Sequence, residues 1–358
     1  MQDMRLGLMT TDLPKVGTDE SISALTWQVL AEEGAASGML VSLFAPSGVD
    51  VRHRTFEGFA WDEEKGWVET SGPLPAVVVD NVFLRIARHD KRYARQKKEL
   101  QQAGITFLNP RFVDKWAATQ ALEQAEALRP HLPKTVLLER PEEVEAWLSH
   151  TTNLFLKPVR GSGGLGVLCV SRADHDQFFL AGAGRTRKVS RADLRYRVRD
   201  ALRRSRHLLQ KGVSLVEVDG HKVDLRVVVY RDEQGLWQPI ATVPRLGRKG
   251  RAVTNLARGG KVRTYAWLAS RMRRQGVRVP VQAEVERVAL RAAEAVTKLR
   301  PTLSYLGIDI GLDASGGLWV LDINPRPGRK VLSLEDRRLA YRCLVGFAKR
   351  LMKEDSRL

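Results

Sequence analysis

The sequence predicts a mixed α/β protein, and three observations support this prediction. Over roughly the first 110 residues, strand-like apolar runs alternate with helix-like segments, the pattern of a mainly parallel sheet covered by helices. Beyond residue 150, glycine-containing turns join consecutive strand-like runs, which is the pattern of antiparallel hairpins. The chain has 358 residues with 43% hydrophobic and 28% charged content, which suits two or three domains with sizeable cores.

The predicted elements of the first segment alternate regularly and end near residue 110. A hairpin is predicted for FEGFAWDEEKGWVET, because aromatic and polar residues alternate there around a Lys65-Gly66 turn. In chain order the elements are the strand RLGLMT, the helix SISALTWQVLAEEGAASG, the strand MLVSLFAP, this hairpin, the strand PAVVVDNV, the helix HDKRYARQKKELQQAG and the strand ITFLNP.

The elements after residue 110 are predicted by the same patterns of apolar spacing and turn residues. They are the helix RFVDKWAATQALEQAEAL, the strand KTVLLE, the helix PEEVEAWLSH, a glycine hairpin, a basic helix, paired strands with turns at Asp219-Gly220 and Gln234-Gly235, a helix from about Gln282 to Leu299, a hairpin over 305–328, and the final helix LEDRRLAYRCLVGFAKRLMKE.

The net charge of +18 at pH 7 favours anionic partners, such as nucleic acid, acidic polymers, acidic lipids or nucleotides. Basic residues are concentrated in residues 184–207, and the later part of this segment has helical spacing. Leu194, Val198, Leu202 and Leu208-Leu209 are expected on one apolar stripe. Two interpretations stay open: a solvated face of a surface helix, or a contact surface for an acidic substrate or partner. No zinc-ligand pattern or interleaved aromatic stack supports a nucleic-acid module.

The two cysteines, Cys169 and Cys343, stand in apolar surroundings and are expected to be buried thiols. This usage fits a reducing compartment. The sequence has no apolar run long enough to span a bilayer and no signal-peptide pattern at its start. We therefore expect a cytoplasmic protein without a membrane partner.

Residues 155–170, FLKPVRGSGGLGVLCV, contain a G-x-G-x-x-G pattern at Gly161, Gly163 and Gly166. A dinucleotide-binding fingerprint would need a helix after the glycines. The residues after the last glycine are instead a β-branched run, so the glycines are predicted to join two strands. Such a hairpin is either an ordinary turn or a flap whose backbone approaches a triphosphate, with Lys157 placed to reach a phosphate.

The stretch GIDIGLDASGGLWVLDINPRP predicts a hairpin with a polar face. Asp322 and Asn324 are two residues apart on one strand and so share a face, and Asp309 can reach that face from the other strand. Two carboxylates and an amide oxygen suit Mg²⁺ bound together with substrate phosphates. The alternative is a surface hairpin with its polar residues turned outward.

In combination these features resemble the ATP-grasp superfamily of ADP-forming carboxylate–amine ligases. Five phrases look like its YheC/YheD-type branch, the endospore coat-associated proteins: GFAWDEEKGWVETSGPLPAVVVDNV, GITFLNPRFVDKW, FLKPVRGSGGLGV, DLRVVVYRDEQGLWQPIATVPRLG and LGIDIGLDASGGLWVLDINPRPGR. The resemblance implies an N-terminal Rossmann-like pre-ATP-grasp domain at 1–110. A two-lobed ATP-grasp fold would follow, with an N-lobe at 111–213 that carries the flap and a C-lobe at 214–358 that carries the metal hairpin.

The resemblance also implies how each residue of an ATP site would act. Lys115 and Lys157 would contact phosphates from separate subdomains. The flap over the phosphates would comprise Gly161, Ser162, Gly163, Gly164 and Gly166, with the hydroxyl of Ser162 as an added donor. The adenine would be read at a hinge of Gln210, Lys211 and Val213. Either Glu217 or Asp224 would hold the ribose hydroxyls, and the sequence leaves this choice open.

Two arginines, Arg226 and Arg245, would by the same resemblance face the γ-phosphate and an acyl-phosphate intermediate. Asn255 would contact phosphate or metal. Asp309, Asp322 and Asn324 would bind one or two Mg²⁺ ions, or Mn²⁺ in their place. Asp322 stands where many relatives carry Glu, and its shorter side chain leaves a metal-bridging role open.

The implied reaction is ATP-dependent formation of an amide from a carboxylate and an amine, with an acyl phosphate as intermediate and with ADP and phosphate released. The substrates would be amino-acid or peptide-like, and the positive charge favours acidic ones. Two alternatives remain: a non-catalytic ATP-binding spore-coat or scaffold protein, and a polyanion or nucleic-acid binder. With this function we expect a cytoplasmic protein that associates with spores. The sequence does not predict the oligomeric state.

Overall fold

The computed structural model describes residues 4–82, 91–109, 114–161, 164–182, 185–247, 261–328 and 331–355. These residues form three β-sheets flanked by helices, so the predicted α/β class is confirmed. No helix in these ranges is long and apolar enough to cross a membrane.

The first sheet has seven strands. They are β1 (Arg5–Thr10), β2 (Leu40–Phe44), β3 (Val49–Asp50), β4 (Thr55–Asp62), β5 (Gly66–Pro73), β6 (Val77–Asn81) and β7 (Thr106–Leu108). Helices α1 (Ile22–Ala36) and α2 (Lys91–Gln102) precede β2 and β7.

The strands of the first sheet pair in two ways. β2, β1, β6 and β7 are parallel neighbours in that order, whereas β3, β4 and β5 pair antiparallel. The predicted hairpin is present as β4 and β5. The sheet is therefore mixed rather than mainly parallel, because short turns connect strands antiparallel while parallel strands need a crossover.

The middle sheet has the order β12-β11-β10-β9-β13-β8, with neighbours antiparallel. Its elements, with the helix that precedes it, are α3 (Lys115–Gln124), β8 (Thr135–Leu138), α4 (Glu142–Leu148), β9 (Asn153–Pro158), β10 (Leu168–Arg172), β11 (Gln177–Gly182), β12 (Arg185–Ser190), α5 (Arg191–Arg204) and β13 (His207–Lys211). The glycines join β9 to β10, which confirms that they connect two strands and do not open a helix.

The basic segment divides into a strand and a helix. Leu194 and Val198 of α5 are buried against the middle sheet, as the apolar stripe predicts. Leu208 and Leu209, expected on the same stripe, lie instead on β13. The helix ends because Ser205 adopts an extended backbone, and the residues after it pair with β8 and β9.

The third sheet has the order β17-β16-β15-β18-β19, with β14 on β15. Its elements and helices are β14 (Glu217–Val218), β15 (His221–Arg231), β16 (Trp237–Leu246), β17 (Lys261–Val262), α6 (Tyr265–Arg274), α7 (Gln282–Thr297), β18 (Tyr305–Leu312), β19 (Leu318–Asn324) and α8 (Leu334–Asp355). The predicted turn at Asp219-Gly220 has positive φ at both residues, and Gly235 also has positive φ.

Two cores cover the opposite faces of the third sheet. Alternate β15 residues, such as Leu225 and Val227, are fully buried in a core that α7 completes. Val228 and Tyr230 face the other way, into a core shared with α8 and the first sheet. Since the side chains of a strand alternate, Asp224 and Arg226 lie on this second face, beyond the part that α8 covers.

Candidate functional site

A cleft lies between the middle and third sheets, with about 1100 Å³ of empty space when its open mouth is counted. The middle sheet lines it from β9, β10 and β13, and the third sheet lines it from β15, β16, β18 and β19. Eleven of the predicted site residues line it: Lys115, Lys157, Gly161, Gly164, Gln210, Lys211, Val213, Asp224, Arg245, Asp309 and Asp322.

A network of buried ion pairs forms the wall of the cleft on the third sheet. Arg245 donates to both carboxylate oxygens of Asp224, at 2.7 and 2.6 Å, and its Nη2 lies 3.0 Å from Asp309 Oδ2. Arg226 donates to the two oxygens of Asp309 from Nε at 2.5 Å and from Nη2 at 3.1 Å. Two arginines therefore hold the Asp309 side chain in one orientation, because a guanidinium is a rigid planar donor.

This network sets the ionisation of Asp309. Burial raises the pKa of its carboxyl, but Arg226 and Arg245 outweigh burial and lower the pKa to about 2. Burial also opposes the charge of Arg245, while Asp309 and Asp224 raise the pKa of its guanidinium above the usual value. Both partners are therefore charged at neutral pH.

A β-bulge in β19 turns a backbone carbonyl into the cleft. Asp309 pairs with Asp322 and Ile310 pairs with Val320, so Leu321 is the extra residue of the ladder. The extra residue of a bulge lies outside the regular pairing. The carbonyl oxygen of Leu321 accepts a hydrogen bond from Lys157 Nζ at 3.0 Å, which joins the two walls of the cleft.

The two lysines meet at this junction. Lys157 Nζ also donates to Gln210 Oε1 at 2.5 Å, and Lys115 Nζ is paired with Asp322 Oδ1. Burial lowers the pKa of Lys157 to about 8; Asp322 and Asp309 oppose this shift and Lys115 adds to it. Lys157 therefore carries its charge at neutral pH and loses it in mildly alkaline solution.

The charged side chains around this junction nearly balance one another, with one more cation than anions. Such a set suits a polyanion, because an added phosphate chain finds donors already in place. The cations are Lys115, Lys157, Arg226 and Arg245, and the anions are Asp224, Asp309 and Asp322.

Part of the lining of the cleft is apolar, and the predicted hinge residues belong to the same lining. Phe155, Leu165, Val167, Leu215 and Leu321 are among the apolar lining residues, and apolar walls suit an aromatic base. The hinge is fixed by backbone hydrogen bonds from Lys211 N to Lys134 O at 2.9 Å and from Gly212 N to Asn153 O at 3.0 Å. Gln210 is buried and donates to Thr135 Oγ1 at 2.9 Å.

The family of the protein follows from comparison with known proteins. The family described as YheC/D-like ATP-grasp matches residues 104–351. The chain belongs to this family. The endospore coat-associated proteins YheD and YheC of Bacillus subtilis are 26% and 25% identical to it over 299 residues. These alignments cover 81% of this chain, 65% of YheD and 82% of YheC, so the chain spans just under two thirds of YheD.

Solved structures show the same fold over nearly the whole chain. D-alanyl-alanine synthetase A of Vibrio cholerae has a TM-score of 0.58 at 14% identity and covers 99% of this chain and 100% of its own. The ATP-grasp ligase PsnB, in complex with a minimal precursor, Mg and ADP, has a TM-score of 0.54 at 16% identity. The match covers 97% of this chain and 98% of PsnB. These neighbours establish an ATP-grasp ligase fold.

Several predicted site residues of this ATP-grasp chain lie away from the lining of the cleft. Glu217 is exposed on β14, whereas Asp224 lines the cleft with both oxygens bonded to Arg245, so the ribose assignment stays open. Arg226 lies behind Asp309 and orients it. Asn324 Oδ1 accepts from the backbone N–H of Arg326 at 2.9 Å.

The flap is described only in part. Gly164 and Gly166 have φ of 69° and 74°, and a Cβ on Gly166 would lie 2.9 Å from Pro158 Cγ, so this turn requires glycine. Ser162 and Gly163 lie outside the described residues, as does Asn255. Their predicted roles stay predictions.

The donor set of the β18–β19 hairpin fits Mg²⁺ shared with phosphates. In the described part of the chain, no group of three or more His, Cys, Asp and Glu side chains could hold a metal unaided. Asp322 and Asp309 have carboxylates in the lining of the cleft, and Asn324 carries an amide oxygen on the same strand as Asp322, outside that lining. Such a short set of hard ligands suits Mg²⁺, which completes its octahedron with phosphate oxygens and water.

The residues that join the β18–β19 hairpin to the first sheet were not predicted from the sequence. Asn109, with φ of 48°, donates to the carbonyl oxygens of Tyr305 and Pro325 at 2.7 and 2.6 Å. Arg326 Nη2 lies 2.7 Å from the buried carboxylate of Asp80. The only signal was the position of Asn109 between a strand and a proline, and it did not reveal a partner almost 200 residues away.

The expectation of two buried thiols is right for one cysteine and wrong for the other. Cys343 is buried, and burial raises the pKa of its thiol to about 11. Cys169 is only half-buried, because one side of β10 faces the cleft.

Proposed function

We propose that the protein is an ATP-dependent ligase that joins a carboxylate to an amine. One observation carries the proposal: Lys115 and Lys157 line the same cleft as Asp309 and Asp322, and apolar side chains complete its lining. An apolar slot next to paired cations and carboxylates suits a nucleoside triphosphate with its Mg²⁺, the base in the slot and the phosphates at the charged end.

The reaction we propose has two steps. A carboxylate oxygen of the acid attacks the γ-phosphorus of ATP, and the bond to the β–γ bridging oxygen breaks to release ADP. The amine nitrogen then attacks the acyl carbon of this acyl phosphate, phosphate leaves, and the nitrogen loses a proton. Positioning and charge stabilisation account for catalysis of this kind.

The residues of the chain would supply binding and orientation. Lys157 and Lys115 would donate to phosphate oxygens, which requires Lys115 to exchange its Asp322 partner for the ligand. Bound Mg²⁺ would neutralise phosphate charge, with Asp322, Asp309 and Asn324 as its protein ligands. Arg245, held between Asp224 and Asp309, would face the transferred phosphoryl group.

The substrate class we propose is an amino acid or a peptide-like acid with an amine acceptor. A protein of Haemophilus influenzae named probable alpha-L-glutamate ligase supports it, with 25% identity over 227 residues, 63% of this chain and 58% of its own length. The structural neighbour D-alanyl-alanine synthetase A and the precursor-bound PsnB point the same way. The names of YheC and YheD add association with the spore coat to the proposal.

Two measurements test the proposal. Titration calorimetry with ATP should show binding that needs Mg²⁺, and incubation with ATP and pooled amino acids or short peptides should release phosphate with a new amide product detected by mass spectrometry. ATP binding without phosphate release in any pool would favour a non-catalytic nucleotide-binding protein. Absence of ATP binding at saturating Mg²⁺ would reject the nucleotide cleft itself.

A further inference from the structure

The outer edge of the middle sheet is exposed and open. β12 is its outermost strand, and within the described ranges it pairs with β11 alone. Five of its six residues are exposed, and only Val189 is buried. An edge strand presents a row of backbone N–H and C=O groups that another extended chain can pair with.

This edge is also strongly basic. Residues 185–206, which we call the basic edge, contain ten Arg and Lys residues and two Asp residues. Four of the cations form ion pairs, with partners on α4, on α5 itself and in the turn before β11. The others are exposed and have no ion-pair partner among the residues that the structure describes: Arg185, Arg187, Arg197, Arg199, Arg203 and Arg206.

Three of these arginines border the open side of β12. Arg185 and Arg187 are on the same face of the strand as Val189, which is buried under α5. Arg195 pairs with Glu145 of α4, so its flank of α5 faces the middle of the sheet. Arg197 is two residues further, about 200° around the helix, so we expect it on the opposite flank of α5, toward β12.

The opposite face of the same edge is partly apolar. Phe179 of β11 pairs with Lys188 of β12 and is 43% exposed. Because adjacent residues of a strand point to opposite faces, an added strand would lie beside Arg185 and Arg187 on one face. On the other face it would lie beside Thr186 and Lys188, with Phe179 one strand further in.

We propose that the basic edge binds an extended acidic peptide as an additional strand along β12. Its carboxylates would alternate with apolar residues, so that the acids meet Arg185, Arg187 and Arg197. The apolar residues would lie over the aliphatic parts of Thr186 and Lys188, toward Phe179. Strand addition gains main-chain hydrogen bonds, and the alternate side chains give specificity. A nucleic acid would meet the same charge but has no amide backbone to pair with the edge.

The basic edge lies three strands from β9, which carries Lys157, or about 14 Å at the usual strand spacing. A peptide substrate docked there would therefore reach toward the cleft. This link to the cleft rests on the proposed function, whereas the docking itself does not.

The test measures binding without nucleotide, so an inactive ligase would not affect it. The probe is a fluorescein-labelled peptide of about ten alternating Glu and Val residues, followed by fluorescence anisotropy. We expect it to bind, and the Arg185→Gln, Arg187→Gln double variant to bind at least about tenfold more weakly. The matched control is the Arg273→Gln, Arg274→Gln double variant on α6, which removes two exposed arginines elsewhere and should bind within about twofold of the unchanged protein.

Backbone-modified probes separate strand addition from simple charge attraction. One version of the peptide carries N-methyl groups on every Val and another carries them on every Glu, which blocks one hydrogen-bonding edge in each case. Loss of binding by one version and its retention by the other supports the proposal. Equal binding by both versions, no binding of the acidic peptide, or tighter binding of a single-stranded oligonucleotide would each overturn it.

Discussion

Cationic side chains cluster in the cleft and on the basic edge, and the two regions balance their charge differently. In the cleft, Arg226 and Arg245 are 9% and 4% exposed, and both donate to carboxylates. On the basic edge, six exposed arginines have no ion-pair partner in the described ranges. A buried charged side chain therefore needs an ion-pair partner, whereas an exposed guanidinium does not, because water stabilises the exposed charge well.

The comparison also separates two kinds of evidence for function. A buried charged side chain that needs its ion-pair partners is held in one position, so its geometry supports a specific chemical role. An exposed charge constrains little by itself, and the proposal for the basic edge depends equally on the open strand β12. Four experiments test this contrast between buried and exposed charges.

Removal of a buried carboxylate should have the largest effect. Asp309→Ala leaves Arg226 and Arg245 short of their shared partner, so we expect the free energy of unfolding to fall by about 3–5 kcal/mol. Urea denaturation of the variant and the unchanged protein measures this change. A loss below about 1 kcal/mol would show that the buried network is not obligatory.

Removal of the lysine at the junction of the two walls should mainly affect activity. Lys157→Met keeps an unbranched side chain, one atom shorter, but removes its charge, and we expect ATP-dependent phosphate release to slow by about 10²-fold. Lys134→Met is the matched control, since Lys134 is exposed and packs on Trp147. Similar rates for both variants would separate Lys157 from the reaction.

The same lysine predicts a pH dependence of ATP binding. Burial lowers its pKa to about 8, so its charge, which would bind phosphate in the proposed function, is present below pH 8 and is lost as the pH rises through that value. We expect the affinity for ATP to fall about tenfold as the pH rises from one unit below this pKa to one unit above it. Calorimetry at these pH values should show the fall, and Lys157→Arg, which stays charged, should abolish it. An equal fall in both proteins would assign the titration to another group.

The low pKa of Lys157 also affects stability, with a definite sign. The unfolded chain holds the lysine proton up to about pH 10.5, whereas the folded protein releases it near pH 8. Between these values the unfolded state binds more protons, so this group makes the protein more stable as the pH rises.

Removal of an exposed carboxylate should have the smallest effect. Asp200→Asn on α5 removes the ion-pair partner of Arg204, and both side chains are exposed by more than 40%. We expect the free energy of unfolding to change by less than about 1 kcal/mol. Urea denaturation of Asp200→Asn and Asp309→Ala under the same conditions measures the difference. A loss of stability in Asp200→Asn as large as that in Asp309→Ala would contradict the contrast between buried and exposed ion pairs.

Local sequence patterns predicted much of the fold and several of the residues that line the cleft. The hairpin of β4 and β5, the glycine connection of β9 to β10 and the β18–β19 hairpin depend on turn residues and on alternation within a few positions. Such signals are local, because a glycine with positive φ or a period of two residues needs no distant partner. The family phrases added the placement of Lys115 and Lys157.

Tertiary structure decided which charges are paired and which face the cleft. Asp309 is held by Arg226 and Arg245, which are 83 and 64 positions earlier in the chain, and only the pairing of β18 with β15 and β16 with β15 brings them together. The bulge at Leu321 arises from the register between β18 and β19. The physical reason is that burial and pairing depend on contacts between distant segments, whereas propensity and turn geometry act between neighbours.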